Sequence, residues 1–415
     1  MRPPAIHGIK LAGIARLAWY DIKLREIHKQ IWLGDVSVNF KKRLSMAAES
    51  LVALCMVAIL AVACNGGGTQ AVPAYTVSAG AGEVLQLTVD IGNMIYSYSV
   101  LDTSYAASGV SVGQNSTGTL LGSNPDGTYN VGPSLDGFIQ GGKVMLLGGE
   151  LAGHLAIPLI AGSVNVPVIG ISYPAPNLVF IAGVYNYQGF SCKALGMANA
   201  STPACASQYG TMTIAVLNPV NPTSAIYTTC VGGDITNQNA TTGHPCTGGT
   251  LTGTIQPTSL ATPGVYNVLD AGNNHIGWFF AFTALNGQNV GVIDHDDSKT
   301  PAYGHTVLSA YTPLTTGAGD GSYYVNNNEG QESWVTLATT LNANNYWFVG
   351  PLPWNTSTAQ SGVQGTFTPN SPWTGLSTYS LSSTPAVSGV AMVTGTGVYT
   401  QTESDKPELF SVGVR

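Results

Sequence analysis

Apolar and polar positions alternate with period two through most of the chain beyond residue 80. Leu85, Leu87 and Val89 share one face against Gln86 and Thr88, and Tyr96, Tyr98 and Val100 oppose Ser97 and Ser99. That period predicts half-buried strands in a meander. Pro125-Asp126-Gly127 supplies a turn between Thr119–Leu121 and Tyr129–Val131, and Gly141-Gly142 breaks the next pair before Lys143–Leu147 and Leu155–Ile160. The apolar, proline-bearing stretch from Asn165 to Phe180 reads as a crossover or domain seam. Beyond it, Tyr185 and Tyr187, Met212–Leu217, Ala225–Thr229, Leu251–Ile255 and Val265–Val268 are short candidate strands. Ile276, Trp278, Phe280 and Phe282 form one face of a predicted hairpin, Asn286-Gly287 its type I′ turn, and Val290 and Val292 its return.

The last third carries candidate strands at Tyr323–Val325, Trp334–Leu337, Tyr346–Val349, Gly389–Val393 and Leu409–Val414. Gly-x-Tyr recurs at Gly127, Gly183, Gly264 and Gly397, with separations of 56, 81 and 133 residues that set no period. The expected fold is therefore all-β: antiparallel meanders forming two β-barrel or β-sandwich units, residues 75–175 and 176–415. An irregular β-propeller is the alternative, weakened by the uneven spacing.

Residues 41–68 have a different character. Lys41, Lys42 and Arg43 precede an apolar run from Leu51 to Ala63. Those thirteen residues reach about 20 Å as a helix, short of a bilayer core of about 30 Å. This helical segment reads as an export signal at 41–63, followed by a Gly-rich tether at 64–74. Residues 1–40 read as a mis-called leader, with translation expected to start near Lys41.

Leu60-Ala61-Val62-Ala63-Cys64 resembles the lipobox of bacterial lipoproteins, although Ala61 stands where that family more often has Leu. The resemblance implies a signal peptide cleaved before Cys64 and a membrane anchor through lipid on Cys64. Asn65 after the cysteine implies an outer-membrane rather than inner-membrane address, facing the periplasm or the surface. Gly183–Cys192 together with His275–Asp297 resembles a proteobacterial lipoprotein family of unknown function. Gly-x-Tyr before a meander is similar, over two residues only, to small ligand-binding barrels such as lipocalins.

Charge sharpens the same division. Nine of the 14 Lys and Arg and four of the 21 acids precede Cys64, so the remaining 352 residues carry 5 basic and 17 acidic groups, a net of −12. Nucleic acid is excluded as a partner on that balance. Of six cysteines, Cys55 lies in the apolar run and Cys64 after it; the others are Cys192, Cys205, Cys230 and Cys246. Sequential pairing closes the shortest loops, so Cys192–Cys205 and Cys230–Cys246 are the expected disulfides of an oxidising compartment. No C-x-x-C or short His spacing supports the rival zinc reading.

Candidate chemistry is sparse. Gly109-Val110-Ser111-Val112-Gly113 matches the G-x-S-x-G nucleophile elbow, but no helical pattern follows Ser111, and a Gly-rich loop is the expectation. Asp294-His295-Asp296-Asp297, with His305 ten residues beyond His295, is the densest charge cluster. Its spacing starts like a calcium loop, yet Lys299 stands where the turn needs Gly, so a solvated turn is expected over a metal site. Trp347, Trp354 and Trp373 lie near prolines and asparagines, where exposed rings suit a glycan or small ligand, although burial is the commoner fate of such rings. His154, His244 and His275 read as structural or surface residues. The expected function is a lipid-anchored cell-envelope binding or structural module without catalysis or cofactor. The alternative is a secreted hydrolase using Ser111 or a metal-assisted site around Asp294.

Overall fold

A computed structural model describes residues 72–415, except 105–109, 148, 160–161, 173, 176, 194–204, 219–223, 242, 259–261, 284–287, 298–301, 339–345, 352–361 and 383–385. Cys64, the signal segment and most of the tether thus lie outside the described residues.

Three eight-stranded antiparallel barrels follow one another along the chain. The first is β1 (Ala74–Ala79), β2 (Glu83–Asp90), β3 (Ile95–Thr103), β4 (Asn115–Ser123), β5 (Tyr129–Ser134), β6 (Gly141–Leu147), β7 (Glu150–Leu159) and β8 (Gly162–Ser172), closed by β1–β8 pairing. The second is β9 (Gly183–Lys193), β10 (Cys205–Val216), β11 (Ala225–Val231), β12 (Thr250–Pro257), β13 (Val265–Asp270), β14 (His275–Thr283), β15 (Asn289–His295) and β17 (His305–Ala310). Pairing of β9 with both β10 and β17 closes it, and the two-residue β16 (Ala302–Tyr303) extends the β9 edge. The third is β18 (Gly321–Asn327), β19 (Glu332–Ala338), β20 (Tyr346–Gly350), β21 (Val363–Pro369), β22 (Leu376–Leu381), β23 (Val387–Val393), β24 (Val398–Glu403) and β25 (Phe410–Val414), closed by β18–β25.

The all-β antiparallel expectation holds, but the described strands of residues 176–415 form two closed barrels where one unit was expected, with no propeller blades among the described residues. An eight-stranded barrel is about as wide as its own side chains fill, so a sixteen-stranded meander of this composition divides rather than enclosing a void. The expected seam at 165–180 is also shorter than it reads. Residues 162–172 are β8, with Pro167 beyond the last β1 pair, where its carbonyl accepts the Gly80 N–H at 2.8 Å.

Gly-x-Tyr works as a strand opener. Tyr129, Tyr185, Tyr266 and Tyr399 sit within the first three residues of β5, β9, β13 and β24, and Gly127, Gly264 and Gly397 have φ of 85°, 83° and 111°.

The second and third barrels have their own cores, around Tyr185, Tyr187, Phe279 and Leu308, and around Tyr323, Val335, Phe367 and Tyr399. The first barrel's core runs on without interruption into the seams, taking in Phe190, Phe280 and Val292 from the second barrel and Phe410 and Val412 from the third. The predicted β14–β15 hairpin is present, while Asn286-Gly287 lies outside the described residues. A register shift in β13 opposite the start of β14 sends Phe279 and Ala281 into the barrel. Trp278, Phe280 and Phe282 share one face, as expected, and pack in the seam against the first barrel, whereas Ile276, expected with them, packs on the second barrel's core.

Polar groups bridge the seams of the third barrel. Between the first and third barrels, His154 Nδ1 meets Asn326 Oδ1 at 2.8 Å and Lys143 Nζ lies 3.3 Å from Glu332 Oε2. Between the second and third, Asn186 donates to Thr374 O at 2.9 Å and accepts from Trp373 Nε1 at 2.9 Å. Gln188 donates to Val390 O at 2.9 Å and accepts from Thr400 Oγ1 at 2.6 Å.

Glu150 opens β7 at the seam with the third barrel, 2% exposed, and burial raises its pKa from 4.5 to about 7 against a hydrogen bond with Thr396. A carboxyl whose pKa rises on folding stabilises below its unfolded pKa and loses that contribution as pH climbs to the folded value. Glu150→Gln should therefore match the native chain near pH 4.5. By pH 8 it should be more stable by on the order of 3 kcal/mol, read from urea unfolding at both pH values.

Candidate functional site

The expected site residues go to different places. Ser111 is exposed in the β3–β4 hairpin, where its carbonyl accepts the Gln114 N–H at 3.0 Å and Gly113 turns the chain at φ 84°. Ser111 thus sits in a Gly-rich hairpin turn, the context read for it from the sequence, where a nucleophile elbow would need a strand, a sharp turn and a helix. Trp373 is buried, not an exposed platform; its indole N–H is taken by Asn186, and its ring lies 5.8 Å from Tyr209 and 5.4 Å from His244. Trp347 lies on β20, and Trp354 is outside the described residues. Disulfides join Cys192 to Cys205 and Cys230 to Cys246.

The Asp294 cluster is not the solvated turn expected. Strand β15 runs through His295, so alternate residues face opposite ways. Val290, Val292 and Asp294 turn toward the first barrel, while Ile293 joins the second barrel's core and His295 Nε2 lies 2.9 Å from Thr306 Oγ1. Asp294 is fully buried and accepts from Ser78 Oγ of β1 at 2.5 Å. Burial, outweighing that bond, raises its pKa well above the carboxylate range, with Asp296, Glu83 and Asp102 adding repulsion. Glu83 is likewise buried and raised to about 8. His305, paired across the sheet with Asp294, sits edge-on between Phe190 and Phe410 at 5.1 and 5.5 Å, and burial lowers its pKa to about 3. Asp297 follows just outside the strand, half-buried.

Beside this buried pair, three groups converge that no sequence spacing connects. Asp102 ends β3, His275 opens β14 and Asp296 follows β15, and each offers one ligand atom, all three within 4.8 Å of one another. His275 Nε2 lies 3.4 Å from Asp296 Oδ2, and its Nδ1 lies 2.5 Å from Asn267 Oδ1. Trp278 Nε1 donates to Asp102, Ser104 Oγ donates to Asp296 Oδ1 at 2.9 Å, and the Trp278 ring lies 4.6 Å from the His275 ring. Burial and contact with Asp296 raise the Asp102 pKa; Asp296 is held low despite burial by bonds from His275, Asp102 and Ser104. Chemically, the group can share a proton between carboxyls or ligate a cation. Of its members only Asp296 stood among the expected site residues.

A second feature lies on the outer face of the first barrel. Register places Gln86, Ser99 and Asn115 in one row across β2, β3 and β4, and Thr88, Ser97 and Thr117 in the next. These six line a groove of about 480 Å³, with Leu135, 88% exposed, as an apolar wall.

No family model matches the chain, and no curated protein matches it. Among solved structures it is similar to a crystal structure of a protein of unknown function from the DUF3598 family of Nostoc punctiforme. Identity is 10% over 57% of this chain and 92% of that one, with a TM-score of 0.22. Site and fold are therefore read from the chain's own geometry.

Ser78→Ala should leave Asp294 buried with neither oxygen bonded and cost about 1–3 kcal/mol. A urea midpoint at pH 7 equal to that of the native chain would show that the bond contributes nothing.

Proposed function

We infer that this chain is an exported, lipid-anchored cell-envelope protein that acts as a non-catalytic binding module. Its ligand is hydroxyl-rich, of the glycan class, and occupies the groove across β2, β3 and β4. The carrying observation is the pair of cross-strand rows, Gln86-Ser99-Asn115 and Thr88-Ser97-Thr117. Six short amide and hydroxyl side chains beside one exposed leucine match the alternating hydroxyls and apolar faces of a sugar. The rows lie on a closed barrel, so their spacing is fixed before a ligand arrives.

Export is supported by the Leu60–Cys64 motif, by two disulfides in the second barrel, and by an acidic, charge-poor composition after Cys64. Anchoring through Cys64 places the barrels at the outer membrane, on its periplasmic or outer side.

Thr88→Val with Thr117→Val removes two hydroxyls at nearly constant volume. On a glycan array the double variant should lose at least about tenfold of the native signal, in line with the cost of unpaired polar groups. Equal binding by variant and native chain would remove the groove from the function. Cys64→Ala should abolish labelled-palmitate incorporation and release the protein from the membrane fraction, whereas undiminished labelling would refute lipidation at Cys64.

A further inference from the structure

Asp102, His275 and Asp296 converge with one potential ligand atom each, all within 4.8 Å of one another. The Asn267 Oδ1 can only accept, so the 2.5 Å contact puts the imidazole proton on Nδ1. His275 Nε2 faces Asp296 Oδ2 at 3.4 Å, an ion pair when the imidazole carries a second proton and a pair of ligand atoms when it does not. Asp102 and Asp296 are in direct contact as well. A proton can satisfy each contact when no cation is bound, and a divalent cation can take the place of those protons.

The surroundings hold these atoms in place from behind. Trp278 Nε1–H takes one oxygen of Asp102, Ser104 Oγ–H takes Oδ1 of Asp296, and Asn267 fixes the imidazole tautomer. Outer partners that orient ligands and leave their inner atoms convergent are a hallmark of metal sites. Asp294 supplies an independent sign. It pairs in register with Trp278, so it lies on the same face, and it is fully buried. Its Oδ2 has no hydrogen-bond partner among the described residues, and the charges acting on it include Asp296 and Asp102. Among the described residues no Lys or Arg pairs with Asp102, Asp294 or Asp296. The site is open enough to load, with the His275 and Asp296 side chains 19% and 20% exposed.

We propose that Asp102, His275 and Asp296 bind one divalent transition-metal cation of the zinc class, tying β3 of the first barrel to β14 and β15 of the second. One imidazole nitrogen and two carboxylate oxygens suit a borderline cation with a remaining position for water. Calcium prefers six to eight oxygens and is a poor match for an imidazole. Since ligands come from both barrels, occupancy stabilises their seam. This site is independent of the groove of the first barrel.

The test uses the untagged full chain, stripped with EDTA and titrated with zinc chloride by calorimetry. One equivalent should bind, and the melting temperature should rise with zinc and fall again with EDTA. His275→Gln and Asp296→Asn should each weaken binding at least about tenfold, while His244→Gln, beside Trp373, should leave it unchanged. Absence of stoichiometric zinc binding, or equal affinity in both seam variants, overturns the proposal. Should those variants fail to fold, cobalt(II) absorbance of the native chain decides. Intense ligand-field bands of a low-coordinate site support it, and the weak spectrum of hydrated cobalt overturns it.

Discussion

Two amide side chains on one strand, Asn186 and Gln188, fix the third barrel against the second. Tyr185 and Tyr187 point into the second barrel, so Asn186 and Gln188 point out of it, into a seam where neither has any exposure. Each amide donates to one backbone carbonyl and accepts from one side chain of the third barrel. Buried amides without partners cost several times what a bonded one contributes. A sliding or rotated third barrel would therefore strand both. The third barrel even accommodates them in its backbone: at Gly375, φ 82°, a Cβ would lie 2.4 Å from Asn186 Nδ2. Apolar contact around Phe190, Phe410 and Val412 supplies attraction across the seams, and the amides supply register.

Much of the fold is legible in the sequence because period two is a local property. Gln86, Thr88, Ser97 and Ser99 read as outward residues, and they line the groove. The two disulfides follow from loop length. What alternation cannot give is which of two covered faces lies inside. Trp278, Phe280 and Phe282 are apolar because they meet another barrel, and the register shift opposite His275 separates Ile276 from them and turns it toward the second barrel's core. Closure is also silent in the sequence. Nothing between Ala310 and Gly321 marks one barrel's end except the pairing partners of β17 and β18.

The seam of the first and second barrels was harder still to foresee. Asp102 and Asp296 are separated by most of a barrel and a half, and His275 carries no neighbouring ligand residue. The dense run at residues 294–297 drew attention for its charge, yet its members diverge: Asp294 goes to Ser78, His295 to Thr306, Asp296 to Ser104 and His275. Strand geometry scatters consecutive residues to opposite faces, so charge density along a strand is a poor guide to charge density in space. Sites assembled from strand ends become visible once strand order is known.

The Cys192–Cys205 bridge joins facing residues of β9 and β10, strands whose pairing also closes the second barrel. The bridge makes the connecting segment redundant as a covalent link. A protease that severs the chain anywhere between those cysteines leaves one molecule, its two fragments still stapled at the strand ends and each still threaded through the same hydrogen-bonded ring. Cutting the backbone and opening the barrel are thus separate events here, and a thiol reductant divides them.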